Sequence, residues 1–224
     1  MNTNPPVAAR EFRLVHNDDF EQSMVRARQG QATTDIAAWF DSILETPVDT
    51  LVGCAIWTDI GYHNTRVGER LGSRPGQSFP TVAEWHWQQI IRELEAGGTD
   101  VLRLASESAR RHGRRFLCGV RVSDAHHAFG AGYTADPRYP QFVQDHPEYR
   151  LRKPEFLRRG TNDEWDATLD YSVPAVREHR LAIIREVIEQ YTSTGVELEI
   201  TPLALVPGYE GDRRMEFLEI RAEN

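Results

Sequence analysis

The apolar run Thr50–Trp57 (TLVGCAIW) constrains the fold of this chain more than any other feature. A nearly continuous run of this length is typical of a parallel strand that is buried on both faces. Other strand-like runs occur at 12–16 (FRLVH), 115–122 (RFLCGVRV) and 195–200 (GVELEI), and helical patterns separate them. The sequence therefore predicts alternating strands and helices around a parallel sheet with right-handed crossovers.

Apolar residues at helical spacing predict helices over 36–44, 84–95, 99–110 and 174–191, and a last helix beginning at 213–221. Pro47 ends the first of these helices. Gly97 and Gly98 separate the second from the third. Pro174 lies in the first turn of the fourth, where its missing N–H costs nothing.

The loops between these elements differ in length. Long polar loops at 58–81 and 128–171 follow predicted strands, whereas the connections that lead into strands are short. This layout is typical of a TIM barrel, but a complete barrel has eight βα units, which at this loop length would need about 400 residues. We therefore expect residues 1–224 to form a single partial domain, a half barrel of four units. It is either truncated or pairs with another chain that completes the barrel.

The composition excludes some function classes. Lys and Arg number 26 against 34 Asp and Glu, so the net charge of −8 disfavours nucleic acid and anionic membranes as partners. No G-x-G-x-x-G motif follows the first strand, and no P-loop motif is present. Cys54 and Cys118 lie in apolar runs, which predicts two buried thiols. With no signal peptide and no apolar span in the sequence, we expect a cytoplasmic protein.

Glu197 and Glu199 are the first candidates for chemistry. Their spacing of two residues places both side chains on one face of a strand. Two acids on one face of a buried strand are destabilising unless they are paired. At the mouth of a barrel, such a carboxylate is suited to acid–base or nucleophilic catalysis. Pairing with arginines, or an edge strand with its acids in water, remains the alternative.

The other candidates follow the remaining strands. Asp124, His126 and His127 come directly after the third strand, where they could bind hydroxyl groups, orient a water molecule or ligate a metal; a simple turn is the alternative. The polar run 16–19 follows the first strand and equally suits a turn. Weaker candidates follow the second strand, and they are Trp57, Asp59, Tyr62 and His63.

Several segments resemble glycoside-hydrolase-like TIM barrels. Residues 169–177 (LDYSVPAVR) and 195–199 (GVELE) are similar to the "LD…P-x-V-R" and "DG-[IV]-x-[FL]-D" patterns of that family. Residues 121–126 and 145–151 are similar to the "R-x-N-D-x-H" and "NPEWRL" patterns of one uncharacterised branch. Glu199 stands where the family usually has Asp, and Thr194 where it has the Asp of "DG".

This resemblance implies a carbohydrate-active hydrolase with a carbohydrate ligand and without a cofactor or metal. Glu199 and Asp124 are then the catalytic candidates. The expected substrate contacts are Glu197, His126, His127, His16, Asp18, His63 and Trp57. One alternative is a non-catalytic sugar-binding or assembly module. Another is a metal-dependent hydrolase using His16, Asp124, His126 and Glu199, although the H-x-H pair common in such barrels is missing after the first strand.

Overall fold

The computed structural model describes residues 14–57, 59–122, 124, 135–150, 169–191 and 193–199. In these ranges the strands are β1 Val15–Asp18, β2 Thr50–Trp57, β3 Ile60–Gly61, β4 Glu69–Arg70, β5 Arg115–Arg121 and β6 Gly195–Glu199. The helices are α1 Glu21–Arg26, α2 Ala32–Leu44, α3 Val82–Ala96, α4 Val101–Arg111, α5 Gln141–Asp145 and α6 Pro174–Gln190. A 3₁₀ turn spans Pro147–Tyr149.

The main strands are parallel and lie side by side in chain order, β1-β2-β5-β6. β1 pairs with the first half of one edge of β2, and the short antiparallel strand β3 pairs with the end of β2. β4 continues the sheet beyond β3. The predicted parallel sheet in a mixed α/β fold is therefore confirmed. The described strands do not close into a ring, because β1 and β6 are not paired with each other.

The two faces of the sheet differ in chemistry. Residues paired across parallel strands point to the same side, and successive residues alternate. On one side Val120 and Leu198 pack with Ile183 of α6, and we call this the helix face. The opposite side, which we call the polar face, carries Trp57, Arg121, Glu197 and Glu199.

A β-bulge in β2 determines which of its residues reach the polar face. Cys54 pairs with Gly119, but the next paired residue is Ile56, opposite Val120, so Ala55 has no partner on β5. The extra residue places Trp57 opposite Arg121. Nδ1 of His63 lies 2.7 Å from the carbonyl oxygen of Ala55 and supplies it with a hydrogen-bond donor.

The predicted helices at 36–44, 84–95, 99–110 and 174–191 correspond to α2, α3, α4 and α6. A capping box between Thr81 and Glu84 begins α3, and the side chain of Asp100 caps α4. Each side chain accepts a hydrogen bond from a backbone N–H group in the first turn of the helix, which would otherwise have no partner within the helix. Cys54 and Cys118 are buried, as predicted. None of the helices in the described ranges combines the length and the hydropathy of a membrane span.

Several shorter elements differ from the prediction. The first strand lies at Val15–Asp18, later than the predicted 12–16, because its register is set by pairing with β2. The stretches predicted as loops contain α1, β3, β4 and α5, which are two to six residues long. Elements this short bury too few residues to show a periodic pattern. The predicted helix at 213–221 lies outside the described residues.

Candidate functional site

Arg121, the last residue of β5, is surrounded by carboxylates at the carboxyl ends of the parallel strands. Its Nε lies 3.0 Å from Oε2 of Glu199, which ends β6. Its Nη2 lies 2.7 Å from Oδ1 of Asp19, which follows β1. Its Nη1 lies 3.7 Å from Oδ2 of Asp124. These four residues, the Arg121 cluster, join the ends of three strands.

The negative charges around Arg121 stabilise its positive charge. Burial by itself would lower the pKa of Arg121, but the surrounding negative charges, including Asp19, Glu199 and Asp124, outweigh burial and raise it. The guanidinium therefore stays charged at any pH at which the protein is folded. Arg121 is 21% exposed and Asp124 only 3%, whereas Glu199 is 41% exposed. A ligand thus has access to the cluster from the side of Glu199.

Glu197 lies on the same face of β6 and has a different environment from Glu199. Burial, and next the charge of Glu199, raise the pKa of Glu197, and Arg121 opposes this only in part. Its Oε2 extends over Gly119 of β5, where an added Cβ would lie 3.5 Å from it. On one strand, Glu199 thus faces the guanidinium of Arg121, whereas burial and a neighbouring negative charge dominate at Glu197.

A pocket of about 120 Å³ opens beside the cluster. Its aromatic side consists of Trp57, Tyr62 and Trp87, with ring centroids 6.2 Å apart for Trp57 and Tyr62 and 6.3 Å for Tyr62 and Trp87. The residues that line it are Asp19, Glu21, Cys54, Trp57, Tyr62, Glu84, Trp87, Arg121 and Arg138. An apolar wall with a few converging polar groups is the usual composition of a small-molecule site.

The structure brings six of the predicted residues to this end of the polar face, among them Asp19 beside Arg121 and Tyr62 in the pocket wall. Glu199 and Asp124 contact Arg121, Glu197 lies beside them on β6, and Trp57 lies opposite Arg121 on β2. His126 and His127, which were predicted beside Asp124, lie outside the described residues.

Three other predicted residues are placed elsewhere. His16 and Asp18 pair with Leu51 and Gly53 and so lie on the helix side of β1, where Asp18 accepts hydrogen bonds from Nε1 of Trp39 at 2.9 Å and from its own loop. His63 is fully buried under α6, edge-on to the ring of Tyr191. Burial lowers the pKa of His63, so its imidazole is neutral.

Sequence reasoning assigned no role to Arg121 and did not find the partners of Asp59. Arg121 was part of a similar motif, and its position at the end of a buried strand was the available signal. Asp59 was a weaker candidate, and its Oδ1 lies 3.1 Å from Nη1 of Arg180 and 3.2 Å from Nε2 of His179. Asp59 and α6 are more than one hundred residues apart in the chain, so no local pattern relates them.

The metal-dependent alternative receives no support from the described part of the chain. Within it, no group of three or more His, Cys, Asp or Glu side chains is arranged to hold a metal ion. His16 and Asp124 do not form such a group with Glu199. His126, which that alternative also required, lies outside the described residues.

No protein-family model matches the sequence, and no curated protein matches it. Among solved structures, the chain is similar to α-L-fucosidase isoenzyme 2 from Paenibacillus thiaminolyticus, with a TM-score of 0.50 and 15% identity over 84% of this chain and 23% of that one. It is also similar to a noncanonic maltogenic α-amylase from Thermotoga neapolitana, with a TM-score of 0.51 and 12% identity over 86% of this chain and 40% of that one. The fold is glycosidase-like, and the chain spans less than half the length of either protein.

Proposed function

We propose that this chain binds a carbohydrate at the polar face, and that it forms part of a glycoside-hydrolase-type active site. The observation that carries the proposal is the Arg121 cluster, which lies at the carboxyl ends of parallel strands with Glu197 and Trp57 beside it. In α/β barrels, chemistry takes place at this end of the strands. The glycosidase-like fold supports the same assignment.

Glu197 and Glu199 suit two different roles in glycoside hydrolysis. Glycoside hydrolysis needs one carboxyl group that keeps a proton for the leaving oxygen and one carboxylate that stabilises or attacks the sugar. Burial and the charge of Glu199 raise the pKa of Glu197, which suits a proton donor. Glu199, 3.0 Å from the guanidinium of Arg121, is the candidate for the other role.

The remaining groups would orient the ligand. Asp124, which lies against Arg121 and is 3% exposed, is a second catalytic candidate that would help to hold the guanidinium in place. Trp57 presents an apolar ring at the floor of the pocket, where it can pack against the apolar side of a sugar.

The experiment is a hydrolysis screen with aryl glycosides that include an α-L-fucoside and an α-maltoside, accompanied by calorimetric binding of L-fucose and maltotriose. We expect turnover of at least one substrate and a loss of about 10²–10⁴-fold in kcat for Glu199→Gln. Glu189→Gln, which changes an exposed acid on α6, is the matched control and should leave kcat unchanged. Wild-type protein that neither binds nor hydrolyses any of these compounds would contradict the proposal.

A non-catalytic sugar-binding module is the second candidate. The ion pair between Glu199 and Arg121 favours it, because an oxygen of the carboxylate that is already held by a guanidinium is less available to react with a sugar. Binding of maltotriose or L-fucose without hydrolysis of any aryl glycoside would select this candidate.

A further inference from the structure

His63 is a buried polar residue that no ligand can reach from solvent. It is 0% exposed, and its ring lies edge-on to that of Tyr191, with the centroids 5.7 Å apart. Burial lowers the pKa of the imidazole, which therefore carries a single proton. Its Nδ1 lies 2.7 Å from the carbonyl oxygen of Ala55. Since a carbonyl can only accept a hydrogen bond, that proton is on Nδ1.

This hydrogen bond is what an imidazole adds at position 63. Within the described part of the chain, Nε2 of His63 is buried without a hydrogen-bond partner. An apolar ring could fill the same space without leaving a nitrogen unsatisfied, and an unsatisfied buried polar group is destabilising. The contact between Nδ1 and the carbonyl of Ala55 is therefore the feature that sets histidine apart from an apolar residue here.

The carbonyl that accepts the hydrogen bond belongs to the β-bulge of β2. Ala55 is the extra residue of that bulge, and the bulge places Trp57 opposite Arg121 on the polar face. β3 pairs with the end of β2 through two residues only, the second of which is Gly61. The bond from His63, two residues further along the chain, extends this short pairing back to the bulge.

The sequence around His63 is adapted to this contact. A Cβ added to Gly61 would lie 2.8 Å from Nδ1 and Cε1 of His63 and 3.1 Å from the carbonyl oxygen of Ala55, so a larger residue would displace the ring. Tyr62, between the two, lies in the pocket wall with its ring centroid 6.2 Å from that of Trp57. Both rings thus belong to segments that the hydrogen bond joins.

We propose that His63 is a positioning residue for the carbohydrate site, and that its hydrogen bond to Ala55 holds the bulge that keeps Trp57 against Tyr62 in the pocket wall. The inference rests on the proposed function and deepens it. His63 was predicted from the sequence to contact the substrate, whereas here it acts on the ligand through Trp57. The aromatic wall packs against the apolar side of a sugar only while the bulge stays in place.

The first test compares His63→Leu with His63→Asn in calorimetric titrations with maltotriose and L-fucose. The two replacements are similar in size, but only Asn keeps an N–H donor close to the position of Nδ1. We expect His63→Leu to weaken sugar binding about 3- to 10-fold, the effect of one lost hydrogen bond, and His63→Asn to retain most of the affinity. Thermal unfolding of each variant verifies that it is folded at the temperature of the titration.

A double-mutant cycle separates positioning from a general loss of stability. If His63 acts through Trp57, His63→Leu should weaken sugar binding by less than twofold once Trp57→Ala is present, because the two changes remove the same contact. Losses that multiply would overturn the inference. Gly61→Ala is a second variant, since its methyl group displaces the ring of His63, and it should reproduce His63→Leu if that variant does not fold.

The position of Trp57 can also be measured without a ligand. Nuclear Overhauser effects between the indole of Trp57 and the ring of Tyr62 should be present in the wild type and in His63→Asn, and lost in His63→Leu. If the wild type binds a sugar, an unchanged affinity or retained Overhauser effects in His63→Leu would each overturn this inference and leave the proposed function standing. If the wild type binds neither sugar, both are wrong.

Discussion

The helix face and the polar face of the sheet are built from alternate residues of the same strands, and they have opposite chemistry. On β6, Val196 and Leu198 pack in the apolar cluster with Ile183 of α6, whereas Glu197 and Glu199 face the other way. The comparison shows that one strand can serve two purposes. The helix face stabilises the fold by burying apolar surface, and the polar face presents charged groups that add little to stability.

The magnitudes explain this difference. Complete burial of an aliphatic side chain contributes about 1.5–3 kcal/mol. An ion pair with an exposed member contributes about 0–1 kcal/mol, because water already solvates both charges well. Glu199 is 41% exposed and Asp19 is 47% exposed, so the Arg121 cluster belongs to the second kind at its outer side.

The largest effect is expected on the helix face. Ile183→Ala removes a side chain that is 0% exposed and leaves a cavity between α6 and the sheet. We expect the free energy of unfolding in urea to fall by about 2–5 kcal/mol. Ile188→Ala, on the same helix but 52% exposed, should lower it by about 0.5 kcal/mol or less. Equal losses in the two variants would show that α6 does not pack as described.

An intermediate effect is expected at the centre of the polar face. Arg121→Met leaves Asp19, Asp124 and Glu199 close together without their shared cation. We expect the free energy of unfolding to fall by about 1–3 kcal/mol at pH 7. Arg111→Met is the control, because it removes the same charge from the more exposed pair with Asp41. We expect it to lower the free energy of unfolding by less than Arg121→Met does.

The smallest effect on the free energy of unfolding is expected for Glu197→Gln. Unlike Ile183→Ala on the helix face, this substitution should stabilise the protein. Burial and the charge of Glu199 raise the pKa of Glu197 in the folded state. Its contribution to stability is therefore fully present below the unfolded pKa and is lost as the pH rises through the folded pKa. Since Glu197 is only partly buried, Glu197→Gln should be more stable than the wild type by less than about 1 kcal/mol at pH 7, and equally stable near pH 3. A wild type that is more stable than the variant at pH 7 would contradict this prediction.

Most of the fold could be predicted because strong periodic patterns report burial directly. The run at Thr50–Trp57 and the amphipathic patterns of α2, α3, α4 and α6 each bury many residues, and each prediction was confirmed. The hairpin strand Ile60–Gly61 was missed because two residues are too few to show a periodic pattern. The helix Gln141–Asp145 was missed because its buried residue Val143 packs with Leu169 and Val176, which are distant in the chain.

The sequence could predict how candidate site residues lie relative to one another only where they belong to the same strand. The spacing of Glu197 and Glu199 placed both on one face, which the register confirms. Pairing with arginines was left open as an alternative, and Glu199 does pair with one, Arg121. The contact of Asp59 with His179 depends on how α6 crosses the sheet, and no pattern within a single sequence encodes that geometry.

The bulge at Ala55 has a consequence for which side chain reaches the pocket. β2 counts one residue more than β5 between the pairs Cys54–Gly119 and Ile56–Val120. Without the bulge, regular pairing would place Ala55 opposite Val120 and Ile56 opposite Arg121. The indole of Trp57 would then turn towards the side of α6, and Ile56 would take its place on the polar face. One unpaired residue in β2 thus decides whether that pocket has an aromatic wall.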